Sequence, residues 1–193
     1  MVQDFEAKLN EYAHLLVEVG MNVQPGQTPS IESNIEYADL TRLCVSACYD
    51  CGARNVVAYY GDDVITRESF LRADEAVFSE YPSYMKARID WYLENKCPRL
   101  SFTGSNPELL KGVDPARIQA RRKASGPPTR AYFDAMTANR FQWCVGAYPP
   151  WPGRKRCSRT RRARTPWMPC GTPFSPCAAS PGTAKPWSAG RST

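Results

Sequence analysis

Three cysteines on one predicted helix are the first candidates for chemistry in this chain. Cys44, Cys48 and Cys51 are spaced i, i+4 and i+7, which places their thiols on one helix face. A zinc or thiol redox site requires such convergence, and Cys48 and Cys51 form a C-x-x-C pair. A closed zinc site has four ligands, however, and the single histidine, His14, is remote in sequence. We therefore expect the three thiols to pack the helix against a sheet, while a redox or zinc role stays a third hypothesis.

The remaining titratable candidates are isolated from one another. His14 lies beside leucines in a predicted helix, without a second histidine or an identifiable Ser or Cys partner, so a structural role is expected. Asp62 and Asp63 follow a predicted strand, where α/β sites form, and paired carboxylates could hold a hard cation. Turn formation and helix capping explain the pair more simply. Cys97 and Cys144 are expected to be buried thiols. We assign no catalytic, cofactor-binding or metal-binding residue in this chain.

One predicted helix also carries a basic face. It consists of Arg117, Arg121, Arg122 and Lys123. A phosphate site could form there, but a solvated face is the usual explanation of such a charge cluster. The chain has no glycine-rich phosphate loop.

The last 43 residues, 151–193, differ from everything before them. They contain nine Lys and Arg, seven Pro and three Trp, but no Asp, Glu, Leu, Ile or Val. A core cannot be packed without aliphatic residues, and a solvating tail seldom carries so much Trp and Cys. We therefore predict two segments: an α/β domain at 1–149, and a basic Pro/Arg-rich tail at 150–193 that is disordered and read out of frame.

The net charge of +6 averages these two segments. Before residue 149 the chain has 16 Lys and Arg against 19 Asp and Glu, which leaves −3, whereas the tail carries +9. The arginines of 154–164, with Trp151 and Trp167 nearby, imitate an RNA-binding segment in which cations contact phosphates and indoles stack on bases. A small α/β domain with a nucleic-acid-binding arm is therefore the alternative function, although nucleic acid is an unlikely partner if the tail is out of frame.

The domain before the tail alternates helical and strand patterns. A first helix is predicted from about Asp4 to Val19, because apolar residues repeat there at helical spacing: Phe5, Leu9, Tyr12, Leu15, Leu16 and Val19. Further helices are predicted from Ser33-Asn34 to Cys51, at 66–71 and at 82–95. A further helix, capped by Asp114-Pro115, should be broken by Gly126-Pro127-Pro128 before a helix at 130–138. Strands are predicted near 28–31, at 55–60 (buried), 99–103 and 141–147, and Asn106-Pro107 should start a helical turn. This alternation predicts an α/β fold with a mostly parallel sheet flanked by helices.

The order of several short motifs resembles a known family. The segments VGMNVQPGQ, GARNVVAYYGDD, LLKGVDPARI and WCVGAYP are similar to the amino-terminal domain of the aminopeptidase T / aminopeptidase S family, over residues 1 to about 149. The resemblance implies a cytosolic aminopeptidase with two divalent metal ions, peptide substrates and paired subunits. It also implies that the metal ligands and the catalytic carboxylate lie in a carboxy-terminal domain, to which nothing in this chain corresponds. The prolines of ASGPPTRAY depart from the family, which is helical there.

The genetic code offers a test of the out-of-frame interpretation. In a frame displaced by one nucleotide, each codon combines the third base of one codon with the first two bases of the next. Trp167-Met168 must then encode Asp, and Met168-Pro169 must encode Ala. A plausible choice of the free bases across codons 166–180 gives MDALWDAIFSLCRV, which has helical apolar periodicity. The chain is thus predicted to be an inactive fragment of a metallo-aminopeptidase.

The sequence gives no sign of a membrane protein. The amino terminus has acidic residues and an amphipathic period instead of the basic segment and apolar run of a signal peptide. No run reaches the roughly 20 apolar residues that span a bilayer. The expectation is a cytoplasmic protein with no membrane partner.

Overall fold

A computed structural model describes residues 2–103 and 108–147 of the chain. The helices are α1 (Val2–His14), which continues as a π-helical segment (Leu15–Gly20), α2 (Ala38–Asp50), α3 (Asp63–Arg72), α4 (Ala76–Ser79), α5 (Ser83–Glu94) and α6 (Pro115–Thr137). A 3-10 turn (Ile35–Tyr37) precedes α2. The strands are β1 (Ser30–Asn34), β2 (Val57–Gly61), β3 (Arg99–Thr103) and β4 (Trp143–Ala147).

The four described strands form one parallel sheet in the order β2-β1-β3-β4. Ile31 of β1 lies in register with Ala58 of β2 and with Leu100 of β3, and Leu100 is in turn opposite Cys144 of β4. Parallel neighbours require crossover connections, which the intervening helices provide. The prediction of an α/β fold with a mostly parallel sheet flanked by helices is confirmed.

One face of the sheet is covered by α1, the π-helical segment and α2. Ile31 and Leu100 are fully buried there. The helices contribute the remaining buried side chains of this core: Leu9, Ala13, Leu16, Val17, Met21, Leu40, Cys44, Ala47 and Cys48. Small residues at 44, 47 and 48 allow α2 to lie close to the strands.

The opposite face is covered by α5 and α6 around a second, smaller core. Its buried members are Ile89, Tyr92, Cys97, Tyr132, Ala135 and Phe141. Edge-to-face or tilted ring contacts such as Tyr132–Phe141, with centroids 5.2 Å apart, supply much of its packing. The two faces therefore differ in kind, one being aliphatic and the other aromatic.

Several helix boundaries follow from the predicted capping residues. The Asp62 side chain accepts hydrogen bonds from the amides of Val64 (2.7 Å) and Ile65 (3.1 Å) at the start of α3. Asp114 accepts one from the Ala116 amide (2.8 Å) at the start of α6. Gly52, at φ +81°, ends α2 in the left-handed region that favours glycine.

The apolar repeat of the first helix is only partly buried, because the helix widens. Leu9 and Leu16 are buried as their spacing predicts, but Leu15 and Val19 are exposed. A π-helical turn contains more residues than an α-helical turn, so the buried stripe changes phase after His14. Val17 consequently turns into the core in place of Val19.

The predicted break at Gly126-Pro127-Pro128 is wrong, since α6 runs through both prolines. A proline inside a helix removes one backbone hydrogen bond and crowds the preceding residue. Gly126 has no Cβ, which relieves part of that crowding at the first proline. The buried residues Tyr132 and Ala135 anchor the second half of the helix in the aromatic core, and this packing outweighs the local preference.

The predicted burial of the strand at 55–60 is also wrong. β2 is an edge strand of the described sheet, and Tyr59 is exposed. An apolar run indicates burial only when both neighbours and both faces are covered, which the sequence does not reveal. The predicted turn at Asn106-Pro107 and the tail at 150–193 lie outside the described residues. None of the described helices is long and apolar enough to cross a membrane.

Candidate functional site

The strand order places a crevice between β1 and β3 at the carboxyl end of the sheet. The chain leaves β1 through α2 towards β2, but leaves β3 through α6 towards β4, on the opposite face. Ligands of open α/β sheets bind where neighbouring connections diverge in this way. A cavity of about 340 Å³, which we call the switch-point groove, lies there; it is lined by Glu32, Ser33, Asn34, Tyr37, Tyr59, Gly61, Asp63, Arg99, Ser101 and Phe102.

An ion pair forms the floor of this groove. Glu32 stands between Tyr59 and Ser101 in the register of the three strands. The Arg99 guanidinium, from one pleat earlier in β3, donates to the Glu32 carboxylate, with Nη2 and Oε2 2.5 Å apart. The side chains are 13% and 30% exposed, so water screens the pair only partly. The groove is therefore polar at its base although aromatic rings surround it.

A second arginine lies at the edge of the groove. Arg88 of α5 places its guanidinium carbon 3.8 Å from the ring centroid of Tyr59. Its Nε and Nη1 atoms are buried and have no hydrogen-bond partner among the described residues. The Tyr59 ring face therefore provides a close cation–π contact for this guanidinium.

The predicted acidic pair is divided between two roles. Asp62 caps α3, as the simpler explanation of the pair proposes. Asp63 lines the groove and accepts a hydrogen bond from Asn34 Nδ2 (2.8 Å). Asn34 in turn accepts one from the Glu36 amide (3.1 Å), so the end of β1 is linked to the start of α3. Within 2–103 and 108–147, no three His, Cys, Asp or Glu side chains converge as a metal site would require.

The cysteines of α2 lie in the aliphatic core instead of at a site. Cys44 and Cys48 are fully buried, and Cys51 at the helix end is partly exposed. Burial, with smaller contributions from neighbouring thiols, raises the pKa of Cys44 and of Cys48 to about 12. A redox or zinc-binding cysteine requires a lowered pKa, so the environment of these thiols opposes the third hypothesis. Cys97 is buried as predicted, whereas Cys144 is only partly buried.

These pKa shifts predict slow alkylation of the folded chain. The thiolate is the reactive form, and a pKa raised from 9.0 to about 12 lowers its fraction roughly 1000-fold at pH 8.5. We expect iodoacetamide to modify Cys44 and Cys48 at least about 100 times more slowly in the folded chain than in urea. Peptide mass spectrometry would measure each site, with Cys51, which directly follows this helix and is partly exposed, as the internal reference. Equal rates at Cys44 before and after unfolding would contradict the core assignment.

The remaining predicted candidates have structural contacts. His14 Nδ1 lies 2.8 Å from Glu18 Oε1, one helical turn away. The basic face of α6 is not uniformly solvated, because Arg117 donates to the carbonyl of Phe70 (2.9 Å) and Arg121 to that of Glu80 (3.2 Å). These two arginines join α6 to the segment containing α3 and α4. Arg122 and Lys123 are exposed.

The sequence patterns did not identify Glu32, Arg88 or Arg99 as groove residues. One signal was available: β1 and β3 each carry a charged residue, of opposite sign, in a segment that must face a core. A charge inside a buried parallel strand needs a partner. The partner could not be chosen from sequence, because 67 residues separate Glu32 from Arg99.

Comparison with known proteins finds a family match along most of the chain. The profile described as thermophilic metalloprotease (M29) matches residues 5–152. Aminopeptidase PepS of Streptococcus thermophilus is 38% identical over 147 residues, which cover 76% of this chain and 36% of that protein. Aminopeptidase AmpS of Bacillus subtilis (strain 168) is 35% identical over 144 residues, covering 75% and 35%. The chain thus spans about a third of the length of these curated relatives.

A solved structure shares the fold. Wild-type AmpT from Thermus thermophilus superimposes with a TM-score of 0.70 at 25% sequence identity, over 78% of this chain and 40% of that one. The similarity therefore extends over the parallel sheet and its helices, and leaves more than half of the larger protein without a counterpart here.

Proposed function

The chain belongs to the thermophilic metalloprotease (M29) family, and on that premise we propose that residues 1–149 are the amino-terminal α/β domain of a metal-dependent aminopeptidase. The observation that carries this proposal is the family match over 5–152, with relatives that are named aminopeptidases. The parent protein, by which we mean the product of the displaced reading frame, removes amino-terminal residues from peptides. Its cytosolic location and the pairing of its subunits, which the family resemblance implies, belong to the same proposal.

We further propose that the chain of 193 residues is inactive by itself. It covers about a third of each curated relative. The family resemblance implies that the metal ligands and the catalytic carboxylate belong to a carboxy-terminal domain, to which nothing in this chain corresponds. When bound in the parent, two divalent metal ions supply an activated water and polarise the scissile carbonyl. The role of residues 1–149 is to help wall the cavity in which this happens.

The tail is proposed to arise from a lost nucleotide between codons 147 and 151. The family match ends at residue 152, a few positions after Val145, which is the last Leu, Ile or Val in the sequence. The displaced frame restores both residue classes and an amphipathic segment.

The decisive experiment compares the chain with its parent protein. One nucleotide is inserted in codons 147–151, the displaced frame is read to its stop, and both proteins are assayed for hydrolysis of aminoacyl p-nitroanilides with added divalent metal. We expect activity from the parent protein, reversible loss of that activity with a chelator, and none from the 193-residue chain. Peptidase activity in the 193-residue chain, or an early stop in the displaced frame, would overturn the proposal.

The rival function makes a different prediction. If residues 151–193 are a genuine nucleic-acid-binding arm, the chain binds RNA with an affinity that falls steeply with salt, and deletion of the arm abolishes that binding. Filter binding with RNAs of different sequence and structure, at physiological salt, separates the two proposals, because an accidental tail gives only weak binding without sequence or structural preference.

A further inference from the structure

One side of α5 adjoins the outer strand β2 through exposed aromatic side chains. Tyr84, Arg88 and Trp91 of α5 are spaced i, i+4 and i+7, which places them on one helix face. Tyr84 is 70% exposed and Trp91 is 44% exposed. The Arg88 guanidinium stacks on the ring of Tyr59, which is itself 42% exposed on β2. We call these four side chains the β2 edge surface.

The residue types of this surface are typical of protein interfaces. Tyr, Trp and Arg are enriched among the residues that contribute most of the binding free energy when proteins associate. A single exposed aromatic side chain is ordinary, but adjoining ones indicate a contact surface. The other side of α5 already anchors the helix, because Ile89 and Tyr92 are buried in the aromatic core. The exposed rings are therefore available to a partner.

The backbone of β2 presents hydrogen-bonding groups on its outer side. Among the described strands, β2 pairs only with β1, and the Val57 amide donates inwards to the carbonyl of Pro29 (3.0 Å). Because the direction of these bonds alternates along a strand, the amides of Ala58 and Tyr60 point away from β1. Natural edge strands are usually protected by lysine, proline or inward charges, and the sequence of β2, VAYYG, has none of these. This edge is therefore able to accept a further strand.

Arg88 indicates the charge of the partner. Within 2–103 and 108–147, its buried Nε and Nη1 atoms have no hydrogen-bond partner, and the side chain forms no ion pair. The carboxylate beside Tyr59 in the sheet register is that of Glu32, which is bound by Arg99 instead. A half-buried guanidinium without a counter-charge favours a carboxylate, whose two oxygens match its planar fork. Rotation of the exposed Tyr59 ring, which exposed side chains undergo readily, opens these nitrogens to a ligand.

We propose that the β2 edge surface binds an extended peptide segment that carries an acidic side chain. The segment adds as a further strand alongside β2, and its backbone pairs with the outward groups of Ala58 and Tyr60. Alternate side chains of a strand lie on the same face of a sheet. The acidic side chain therefore pairs with Arg88, and the residues two positions away contact Tyr84 and Trp91. This inference goes beyond the proposed peptidase function and does not depend on it.

Amide hydrogen exchange of the 193-residue chain, followed by NMR, tests the strand pairing. The probe is the blocked peptide acetyl-Thr-Val-Glu-Val-Thr-amide, which has high strand propensity and a single carboxylate. At saturating peptide, we expect the exchange of the Ala58 and Tyr60 amides to slow at least about tenfold, because a paired amide exchanges only after local opening. The Val57 amide, which is already bonded to Pro29, is the internal control and should not change.

A matched pair of peptides tests the charge of the partner. Fluorescence anisotropy should show that a labelled form of the probe binds at least about tenfold more tightly than the same peptide with Gln in place of Glu, since a charge-assisted hydrogen bond is lost. Arg88→Met should remove this preference. Arg42→Met, which changes an exposed arginine of α2, should retain it. The comparison of the two peptides on the unchanged chain holds even where the Arg88 variant fails to fold.

Three results would overturn the proposal. The first is unchanged exchange at Ala58 and Tyr60, and the second is equal affinity for the Glu and Gln peptides. The third is slow exchange of these two amides before any peptide is added. If that protection rises with protein concentration, a second copy of the chain occupies the edge, and if it does not, the edge is covered by other residues of the same chain.

Discussion

Replacement of Leu100 by alanine is expected to lower the free energy of unfolding by about 2–5 kcal/mol. Leu100 is fully buried in β3, an inner strand, where it lies opposite Ile31 of β1. Its side chain contacts the core formed by α1 and α2, so truncation leaves a cavity that neither helix can fill without moving the other. Because a domain has only about 5–15 kcal/mol of stability in total, this substitution should remove a large fraction of it.

Urea denaturation of the 193-residue chain would measure the effect. Val145→Ala is the control, since it also shortens a strand side chain, but one that is half exposed on the other face of the sheet. We expect the control to change the free energy by no more than about 0.5 kcal/mol. A Leu100→Ala variant as stable as the Val145→Ala variant would mean that the aliphatic core is packed differently.

The second large effect is expected from Arg99→Met, at about 2–4 kcal/mol. Removing one partner of a buried ion pair usually costs about 3–5 kcal/mol, because the other charge is left without compensation. The value is reduced here since the Glu32 side chain is 30% exposed and retains some water. Glu32→Gln should cost less, because the Arg99 cation keeps the rings of Tyr132 and Phe133, with centroids 5.7 and 5.5 Å away.

A double-mutant cycle isolates the pair. The variant carrying both Arg99→Met and Glu32→Gln should be more stable than Arg99→Met alone, because no uncompensated carboxylate is left in the groove. Arg42→Met serves as the surface control: its pair with Asp39 is mostly exposed, and we expect a change below about 0.5 kcal/mol. Strictly additive effects of the two groove substitutions would show that Glu32 and Arg99 do not interact.

Features of the fold that depend on neighbouring residues were predicted correctly, whereas features that depend on distant segments were not. The strand at 99–103 and the cap at Asp114 were predicted correctly, because β-branched or aromatic runs and capping side chains act on residues a few positions away. The break at Gly126-Pro127-Pro128 was wrong because packing of Tyr132 and Ala135 overrode a local preference. The burial of β2 was wrong because the position of a strand within a sheet is not a local property.

The residues of the switch-point groove could likewise not be identified from local sequence patterns. The pattern of the chain drew attention to Asp62 and Asp63, of which only Asp63 lines the groove, and did not point to Glu32 and Arg99. Cysteine spacing suggested a site, but burial in the aliphatic core makes Cys44 and Cys48 poor nucleophiles. In both cases the chemistry of a side chain depends on neighbours that are distant in sequence.

Some properties of this protein depend only on composition and on patterns a few residues long, so they can be predicted without the structure. These are the compositional boundary near residue 149, the positions of most helices and strands, and the motifs that placed the chain in its family. Four properties emerge only in the folded chain: the strand order, the pairing of Glu32 with Arg99, the continuity of α6 through its prolines, and the exposure of two apolar side chains of β4. The physical reason is that composition and periodicity act within a few residues. Strand pairing, ion pairing and side-chain burial depend instead on the free energies of contacts between segments that only the folded chain brings together.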